Sequence, residues 1–321
     1  SLICPQPPAS GFFELESRSP SKWIFQKRKN RNIATKEVPY DRIIFHYNSI
    51  EHFCDRQIPK DTVVTGTEID LLTKACHSSN WAANANWLPS ARFGILRFNP
   101  NSSLFNLSEA RKFFAEEVRK KISSTYPKLT VEKSLFPKLL PGFLESSEFR
   151  NSSFQGKDFF KSKHLIVPKI EISGLSIIYE SIILAAQGLQ MNVEISPIDS
   201  SSTVIKSFLG GEFTVIAGAS GFWAQDPVGD LQMWFTKNLH KTMTFVWADH
   251  DLYKQLNEID VEKHENVRIA RLENLNKYIF DQSIIAPVMH FRRFYLTRSS
   301  GKVYLSQSIT SPAPWQIKIQ E

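Results

Sequence analysis

Between Lys163 and Ala217 the sequence alternates between segments typical of strands and segments typical of helices. In chain order these are a strand, a helix, a strand, a helix and a strand: Leu165–Ile172, Leu175–Gln187, Met191–Ser196, Ser201–Leu209 and Glu212–Ala217. Parallel strands need long crossover connections, and helices of this kind supply them. The pattern therefore predicts an α/β fold with βαβ crossovers, in which all three strands lie parallel in one sheet. A ligand crevice is expected beyond the carboxyl ends of such strands, which here means residues 218–227.

Strand-like segments also occupy both ends of the chain. A hairpin is predicted around Ser19-Pro20, because aromatic and β-branched residues flank that turn signal. Further strands are predicted at Arg42–Asn48 and Arg92–Asn99, and a final ribbon at Phe294–Thr297 and Lys302–Leu305. Strands from both ends that bracket an α/β middle indicate two lobes. We expect lobe I to comprise residues 1–90, completed by 296–321, and lobe II to comprise residues 91–295.

An amphipathic helix is expected after residue 106. Its apolar residues fall at helical spacing on one face: Ala110, Phe113, Phe114, Val118 and Ile122. Asn106 and Ser108 are both candidate N-caps of this helix, and Asn106 and Glu109 have the spacing of a capping box. Three prolines between Tyr126 and Gly142 then predict an irregular loop over the surface. Two later helices are predicted at Asp251–Ile259 and Val261–Gln282.

The composition is that of a folded protein with more than one core. The chain has 321 residues, of which 42% are hydrophobic, and this length favours two domains or one large α/β unit. No run of about 18 apolar residues is present, so no membrane span is expected. The net charge is +7, and much of the excess lies in Lys22–Arg31. Because no nucleic-acid-binding motif accompanies that window, it is interpreted as a solvated strand and turn, and nucleic acid is not an expected partner.

The motifs of common enzyme classes are missing: the sequence contains no G-x-S-x-G, Walker loop, G-x-G-x-x-G or H-E-x-x-H. The segment around Ser220 resembles a nucleophile elbow only in part, which leaves a hydrolase as an alternative. Asp249-His250-Asp251 is interpreted as the start of a helix, since three consecutive residues cannot all face one metal ion without an unusual turn. Neither a metal nor a cofactor is predicted. Three cysteines exclude a fully paired set and leave a Cys54–Cys76 disulfide open.

The loop Gly221–Pro227 combines two large aromatic side chains with an amide, a carboxylate and a turn-forming proline. Such a mixture suits a mostly apolar pocket with a few orienting polar groups. The alternative is that Phe222 and Trp223 belong to the core and that Asp226 opens the next helix. Trp87, in an amide-rich segment between the predicted lobes, allows the same two interpretations, a cleft wall or ordinary packing.

Several short segments occur in a particular order along most of the chain. They are Gly11–Leu15, Gly66–Asp70, Phe98-Asn99, the Phe105–Ile122 helix with Arg111, Asn192–Ile195, Glu212–Val215, Gly221–Pro227 and Leu272–Val288. In this order they resemble motifs of the extracellular solute-binding proteins of family 5, the dipeptide, oligopeptide and nickel-binding class that serves ABC importers. That family usually has a substantial portion ahead of the first segment. The resemblance therefore implies the carboxyl-terminal part of such a protein, or a reduced member.

The resemblance implies a two-lobed α/β fold similar to type II periplasmic binding proteins, with mixed sheets and βαβ crossovers. The implied function is non-catalytic capture of a small molecule or peptide between the lobes, for delivery to an ABC importer permease. The residues expected to contact the ligand are Trp223, Gln225, Asp226, Ser220, Trp87 and Asn99. Gln225 stands where the family's peptide binders have an aspartate, so a neutral or differently oriented ligand is expected.

The resemblance further implies a monomer in the periplasm or at the cell surface. One alternative is a cytoplasmic ligand-sensing domain at the carboxyl end of a bacterial transcription regulator, which would suit the basic charge. The hydrolase that uses Ser220 is the second alternative.

Overall fold

The structure is a computed structural model that describes residues 13–19, 22–27, 42–46, 64–67, 86–99, 102–169, 175–197, 212–222, 226–235, 250–283, 285–296, 302–304 and 318–320. Its strands are β1 (Phe13–Ser19), β2 (Lys22–Lys27), β3 (Arg42–His46), β4 (Val64–Thr67), β5 (Asn86–Phe98), β6 (His164–Lys169), β7 (Asn192–Pro197), β8 (Val215–Gly221), β9 (Ala286–Leu296), β10 (Lys302–Tyr304) and β11 (Lys318–Gln320). Its helices are α1 (Ser108–Thr125), α2 (Lys157–Phe160), α3 (Ser176–Gly188), α4 (Pro227–Phe235), α5 (His250–Asp260) and α6 (Glu265–Gln282), with a 3₁₀ turn at Ser146–Glu148.

Two long strands, β5 and β9, form the centre of a four-stranded antiparallel sheet with the order β4-β9-β5-β8. The outer strands cover opposite ends of this central pair: β4 pairs with the last four residues of β9, and β8 pairs with β5 from Arg92 to Phe98. The register of β5 against β9 shifts between Pro89 and Phe93. At one end of the sheet β4 therefore lies beside β9, and at the other end β8 lies beside β5. The irregular part of β5 between these ends, residues 89–93, is called the crossing segment.

The two faces of β5 pack against different helices because side chains alternate along a strand. Leu96 and Phe98 are buried in one core with residues of α1 and α3. Phe93 and Ile95 are buried in a second core with residues of α4, α5 and α6. Apolar burial on both faces explains why Arg92–Asn99 contains a nearly continuous apolar run. Helices thus cover both faces of the sheet where β5 pairs with β8.

Helix α1 forms as predicted, but its predicted cap is wrong. Ala110, Phe114, Val118 and Ile122 are fully buried, and Phe113 packs partly buried against the same core. The N-cap residue is Leu107, without a side-chain cap, since the Arg111 N–H donates to the Leu107 carbonyl at 3.2 Å. Asn106 therefore precedes the cap by one residue, and a capping box does not form.

The three strands that were predicted to lie parallel in one sheet are not all paired with one another. Among the described strands, parallel pairing occurs between β6 and β7, whereas β8 pairs antiparallel with β5. Just before β8 begins, Thr214 exchanges hydrogen bonds with the backbone of Ile166 in β6, at 3.0 Å and 2.7 Å, so the chain enters β8 beside β6. The chain then continues along β5. The helix predicted at Ser201–Leu209 lies outside the described residues.

Residues 126–142 contain no helix or strand, as predicted, but the expectation of a surface loop is wrong. Leu135, Phe136 and Leu140 are buried in the second core. The side chain of Asn276 in α6 accepts a hydrogen bond from the Leu135 N–H at 3.0 Å and donates to the Gly142 carbonyl at 3.0 Å. Polar groups of this irregular segment are thus satisfied inside the protein, which makes its burial possible.

The carboxyl-terminal ribbon also differs from its prediction. Phe294 lies in β9, which pairs with β4 and β5 rather than with the strand at residue 302. That strand, β10, pairs antiparallel with β11. The amino-terminal hairpin is confirmed, with Ser19 opposite Lys22 and β3 added beside β2.

Candidate functional site

The loop Gly221–Pro227, called the aromatic loop, begins where β8 meets the crossing segment of β5. Ser220 and Gly221 lie opposite Phe93 and Arg92, and the Phe222 N–H donates to the Ala91 carbonyl at 3.1 Å. A Cβ atom on Gly221 would lie 3.1 Å from the Ala91 oxygen and 3.3 Å from the Arg92 Cα. Glycine at this position therefore permits the close approach of the two backbones, which fixes the start of the loop on β5.

Phe222 anchors the loop in the second core. Its side chain is buried, and its ring centre lies 5.6 Å from that of Phe93, 5.5 Å from that of Phe136 and 5.0 Å from that of Trp234. Aromatic pairs at such separations favour tilted arrangements like these. For Phe222, the interpretation as a core residue is correct.

Asp226 begins helix α4. Its Oδ1 accepts a hydrogen bond from the Val228 N–H at 3.1 Å, and Pro227 occupies the first helical position. Its Oδ2 accepts a hydrogen bond from Arg268 Nη2 of α6 at 2.6 Å, while the aspartate side chain remains 58% exposed. The helix-opening interpretation of Asp226 is therefore confirmed, and enough of its surface is open for a further polar contact.

Substitutions of Asp226 separate its structural role from ligand contact. We expect Asp226→Ala to lower the free energy of unfolding by about 1 kcal/mol, because the loss of an N-cap side chain usually costs this amount. Asp226→Asn retains a capping oxygen and should recover most of the loss. Urea denaturation of both variants and the wild type measures this. Equal destabilisation by both variants would contradict the capping role.

The other predicted contacts lie in different places. Trp223 and Gln225 are outside the described residues. Ser220 lies half-buried in β8, close to the loop. Asn99 is buried at the opposite end of β8, where its Nδ2 donates to the Phe213 carbonyl at 2.9 Å. The backbone of Trp87 lies in β5 opposite Phe294, on the other side of the crossing segment.

Arg97, a cation beside Gly218 at the start of the predicted crevice segment 218–227, is not among the predicted site residues. A Cβ atom on Gly218 would lie 3.5 Å from Arg97 Nη2, and burial lowers the pKa of Arg97 to about 10. The hydroxyl of Tyr179 accepts the Ala217 N–H at 3.1 Å and donates to the Ala217 carbonyl at 3.3 Å, and burial raises its pKa. A signal was present, since Arg97 is a charged residue between the buried apolar residues Leu96 and Phe98. It places positive charge next to the loop.

His290 lies in β9 beside the crossing segment. The ring Nε2 is 2.8 Å from the Ser134 carbonyl oxygen, and the ring centre is 5.9 Å from that of Phe93. The backbone N–H of His290 donates to the Thr130 carbonyl at 3.0 Å. Burial lowers the pKa of His290 to about 4. The neutral ring therefore donates Nε2–H to Ser134 and fastens residues 130–134 to β9.

Within the described part of the chain, no group of three or more His, Cys, Asp or Glu side chains has an arrangement that could hold a metal ion. Asp251 lies in the first turn of α5, which begins at His250, in agreement with the helix-start interpretation. The described helices include none with the length and apolar character needed to cross a bilayer.

Comparison with solved structures identifies the fold. Similar structures include AppA from Clostridium difficile, with a TM-score of 0.72, 15% identity and coverage of 97% of this chain and 67% of that chain. The ABC transporter-associated periplasmic binding protein DppA from Helicobacter pylori, solved with the peptide STSA, has a TM-score of 0.70 and 13% identity. The match covers 97% of this chain and 63% of that chain. NikA from Brucella suis, solved with Fe(III)-EDTA, has a TM-score of 0.69 and 12% identity, and the match covers 97% of this chain and 68% of that chain.

No protein-family model matches the sequence, and no curated protein matches it. The chain spans 63% to 68% of the length of the three solved structures. At 12% to 15% identity the likeness concerns the fold. The predicted fold class is confirmed: this chain has the α/β fold of the two-lobed periplasmic binding proteins.

Proposed function

We propose that this protein is a solute-binding protein that captures a small polar molecule at residues 218–227. The observation that carries the proposal is the fold, which it shares along 97% of its length with binding proteins solved with a peptide and with a metal chelate. The second support is local: Gly221, Phe222 and Asp226 fix both ends of the aromatic loop to rigid elements.

We propose two lobes with the boundaries predicted above, one of residues 1–90 with 296–321 and the other of residues 91–295. Strand β4, in the proposed lobe I, pairs with β9, and strand β8, in the proposed lobe II, pairs with β5. The register shift between Pro89 and Phe93 lies at the proposed boundary after residue 90. We propose that this segment acts as the hinge. A ligand that contacts both lobes would stabilise the closed form through those contacts.

The ligand class follows from the polar groups near the loop. Arg97 adds a buried positive charge beside Gly218, and Gln225 supplies an uncharged amide in the sequence. A solute with an anionic or neutral hydrogen-bonding group fits this set better than one that depends on an ammonium ion. By its fold, the expected partner is an ABC importer permease, and the expected location is the periplasm or the cell surface.

Trp223 is the residue whose replacement tests the binding role most sharply. We expect Trp223→Ala to weaken ligand affinity by more than about 1 kcal/mol, or at least about fivefold, because an aromatic wall would be lost. Native mass spectrometry of the purified protein identifies a retained small molecule, and calorimetry with that molecule measures the affinity. Trp23→Ala, in β2, is the matched control and should bind like the wild type. Unchanged affinity in Trp223→Ala would remove Trp223 from the site.

A further inference from the structure

Three positive side chains surround one buried aromatic ring, at a distance from the aromatic loop in sequence and in packing. Lys112 Nζ, Arg119 Cζ and Lys133 Nζ lie 5.1 Å, 5.6 Å and 5.8 Å from the ring centre of Phe280. Phe280 belongs to α6, and its ring centre lies 4.7 Å from that of Phe149. We call Lys112, Arg119, Lys133 and Phe280 the cation cluster.

The fold forces these cations together. Lys112 and Arg119 are seven residues apart on α1 and therefore share one face of that helix. The side chains of both are only 5% exposed, and Lys133 is half-buried in the irregular segment that packs beside them. Burial lowers the pKa of Lys133, and the charges of Arg119 and Lys112 lower it further, against an opposing effect of Glu116.

In the described part of the chain, two carboxylates, Asp281 and Glu116, interact with this charge. Lys112 Nζ contacts Asp281 Oδ1 at 3.1 Å, but Asp281 is 56% exposed. Lys133 Nζ contacts the neutral amide oxygen of Asn151 at 2.5 Å. Glu116 is the nearby carboxylate, and its Oε1 accepts the Ser152 N–H. Three buried or half-buried cations therefore face two carboxylates, which leaves positive charge in a region of low dielectric.

Arg119 also has an unused donor. Its Nε donates to the Pro287 carbonyl at 2.8 Å. Its Nη1 is buried and has no hydrogen-bond acceptor among the residues that the structure describes. A buried donor without an acceptor carries a free-energy penalty, and a charged donor carries a larger one. The donor and the excess charge are relieved by the same ligand, an anion with hydrogen-bond acceptors.

We propose that the cation cluster binds a small oxyanion of the phosphate or sulfate type, with one oxygen accepting from Arg119 Nη1. Lys112 and Lys133 approach from different elements, α1 and the segment 126–142, and a tetrahedral anion can accept hydrogen bonds in several directions. Such an anion would join α1, α6 and the segment 126–142 around Phe280. The site is separate from the proposed solute loop, so either proposal can fail without the other.

Thermal unfolding of the full chain tests the proposal. Inorganic phosphate and sulfate are titrated through the low millimolar range at constant ionic strength, with sodium chloride as the balance. We expect a saturable rise of the unfolding midpoint in the wild type. In Arg119→Met and in Lys133→Met the apparent dissociation constant should rise by about tenfold or more, because each loses a charged donor.

Lys138→Met is the matched control, because Lys138 Nζ also lies over a phenylalanine ring, 5.4 Å from that of Phe143, but is exposed and outside the cluster. It should respond like the wild type. Lys133→Met keeps the test decisive if Arg119→Met does not fold. The proposal is overturned if the wild type shows no response beyond that to chloride, or if all variants respond equally.

Discussion

Asn276→Leu is expected to lower the free energy of unfolding by about 3 kcal/mol, because one buried amide satisfies three groups of the irregular segment. Asn276 is fully buried in α6. Its Oδ1 accepts the Leu135 N–H at 3.0 Å, and its Nδ2 donates to Ser134 Oγ at 2.9 Å and to the Gly142 carbonyl at 3.0 Å. Leucine has a similar volume, so the main effect is the loss of these hydrogen bonds and the burial of unpaired groups.

Gly142 makes replacement of this network difficult. Its φ is +84°, a conformation that favours glycine, and a Cβ atom there would lie 2.7 Å from Leu272 Cβ. The segment therefore cannot easily shift to find other acceptors. Asn274→Leu, an exposed position on the same helix, is the matched control and should change the free energy by about 0.5 kcal/mol or less. Equal effects of the two substitutions in urea denaturation would show that the network does not stabilise the fold.

The second large effect is a loss of stability in acid that depends on His290. Its pKa is about 4 in the folded protein because of burial, and 6.5 is its ordinary value. Below pH 6.5 the unfolded chain takes up a proton that the folded protein does not accept until about pH 4. The stability contributed by the neutral ring is therefore complete above pH 6.5 and declines as the pH falls towards 4. Over this window the loss is about 3 kcal/mol.

His290→Gln isolates that contribution. Glutamine can donate a hydrogen bond to the Ser134 carbonyl but does not titrate. We expect the free energy of unfolding of the wild type to fall by about 3 kcal/mol more than that of His290→Gln between neutral pH and about pH 4. His264→Gln, at a side chain that is 85% exposed, should retain most of the wild-type pH dependence. Parallel curves for wild type and His290→Gln would contradict the assigned cause.

Local patterns predicted the elements whose partners are close in sequence. The apolar spacing of α1 identified Ala110, Phe114, Val118 and Ile122 as buried. The turn signal at Ser19-Pro20 identified the hairpin, and the strand–helix–strand pattern from residue 165 identified β6, α3 and β7. In each case the signal and the structure depend on side chains within one or two neighbouring elements.

Distant partners account for the failures. The pairing of β8 depends on the strand β5, which is more than a hundred residues earlier in the chain. The burial of residues 126–142 depends on Asn276 and His290, which satisfy polar backbone groups from far along the chain. A run of prolines shows that regular structure ends, but it contains no information on these acceptors and donors.

The candidate site shows the same division. Its loop was located from the order of strands and from the residues of Gly221–Pro227, and the capping role of Asp226 was one of the two interpretations considered. Phe222 is a core residue, which the composition of the loop could not decide. Arg97 lies beside Gly218 only because β5 pairs with β8, a long-range contact that the local sequence does not indicate.

The central proposal is that Trp223 contacts a ligand between the two proposed lobes. A crystal structure of the natively purified protein tests it most directly. We predict density for a small molecule against the Trp223 indole, with contacts from the part of the chain that contains β4 and from the part that contains β8. A Trp223 side chain enclosed in one continuous core, without an opening beside it, would contradict the account.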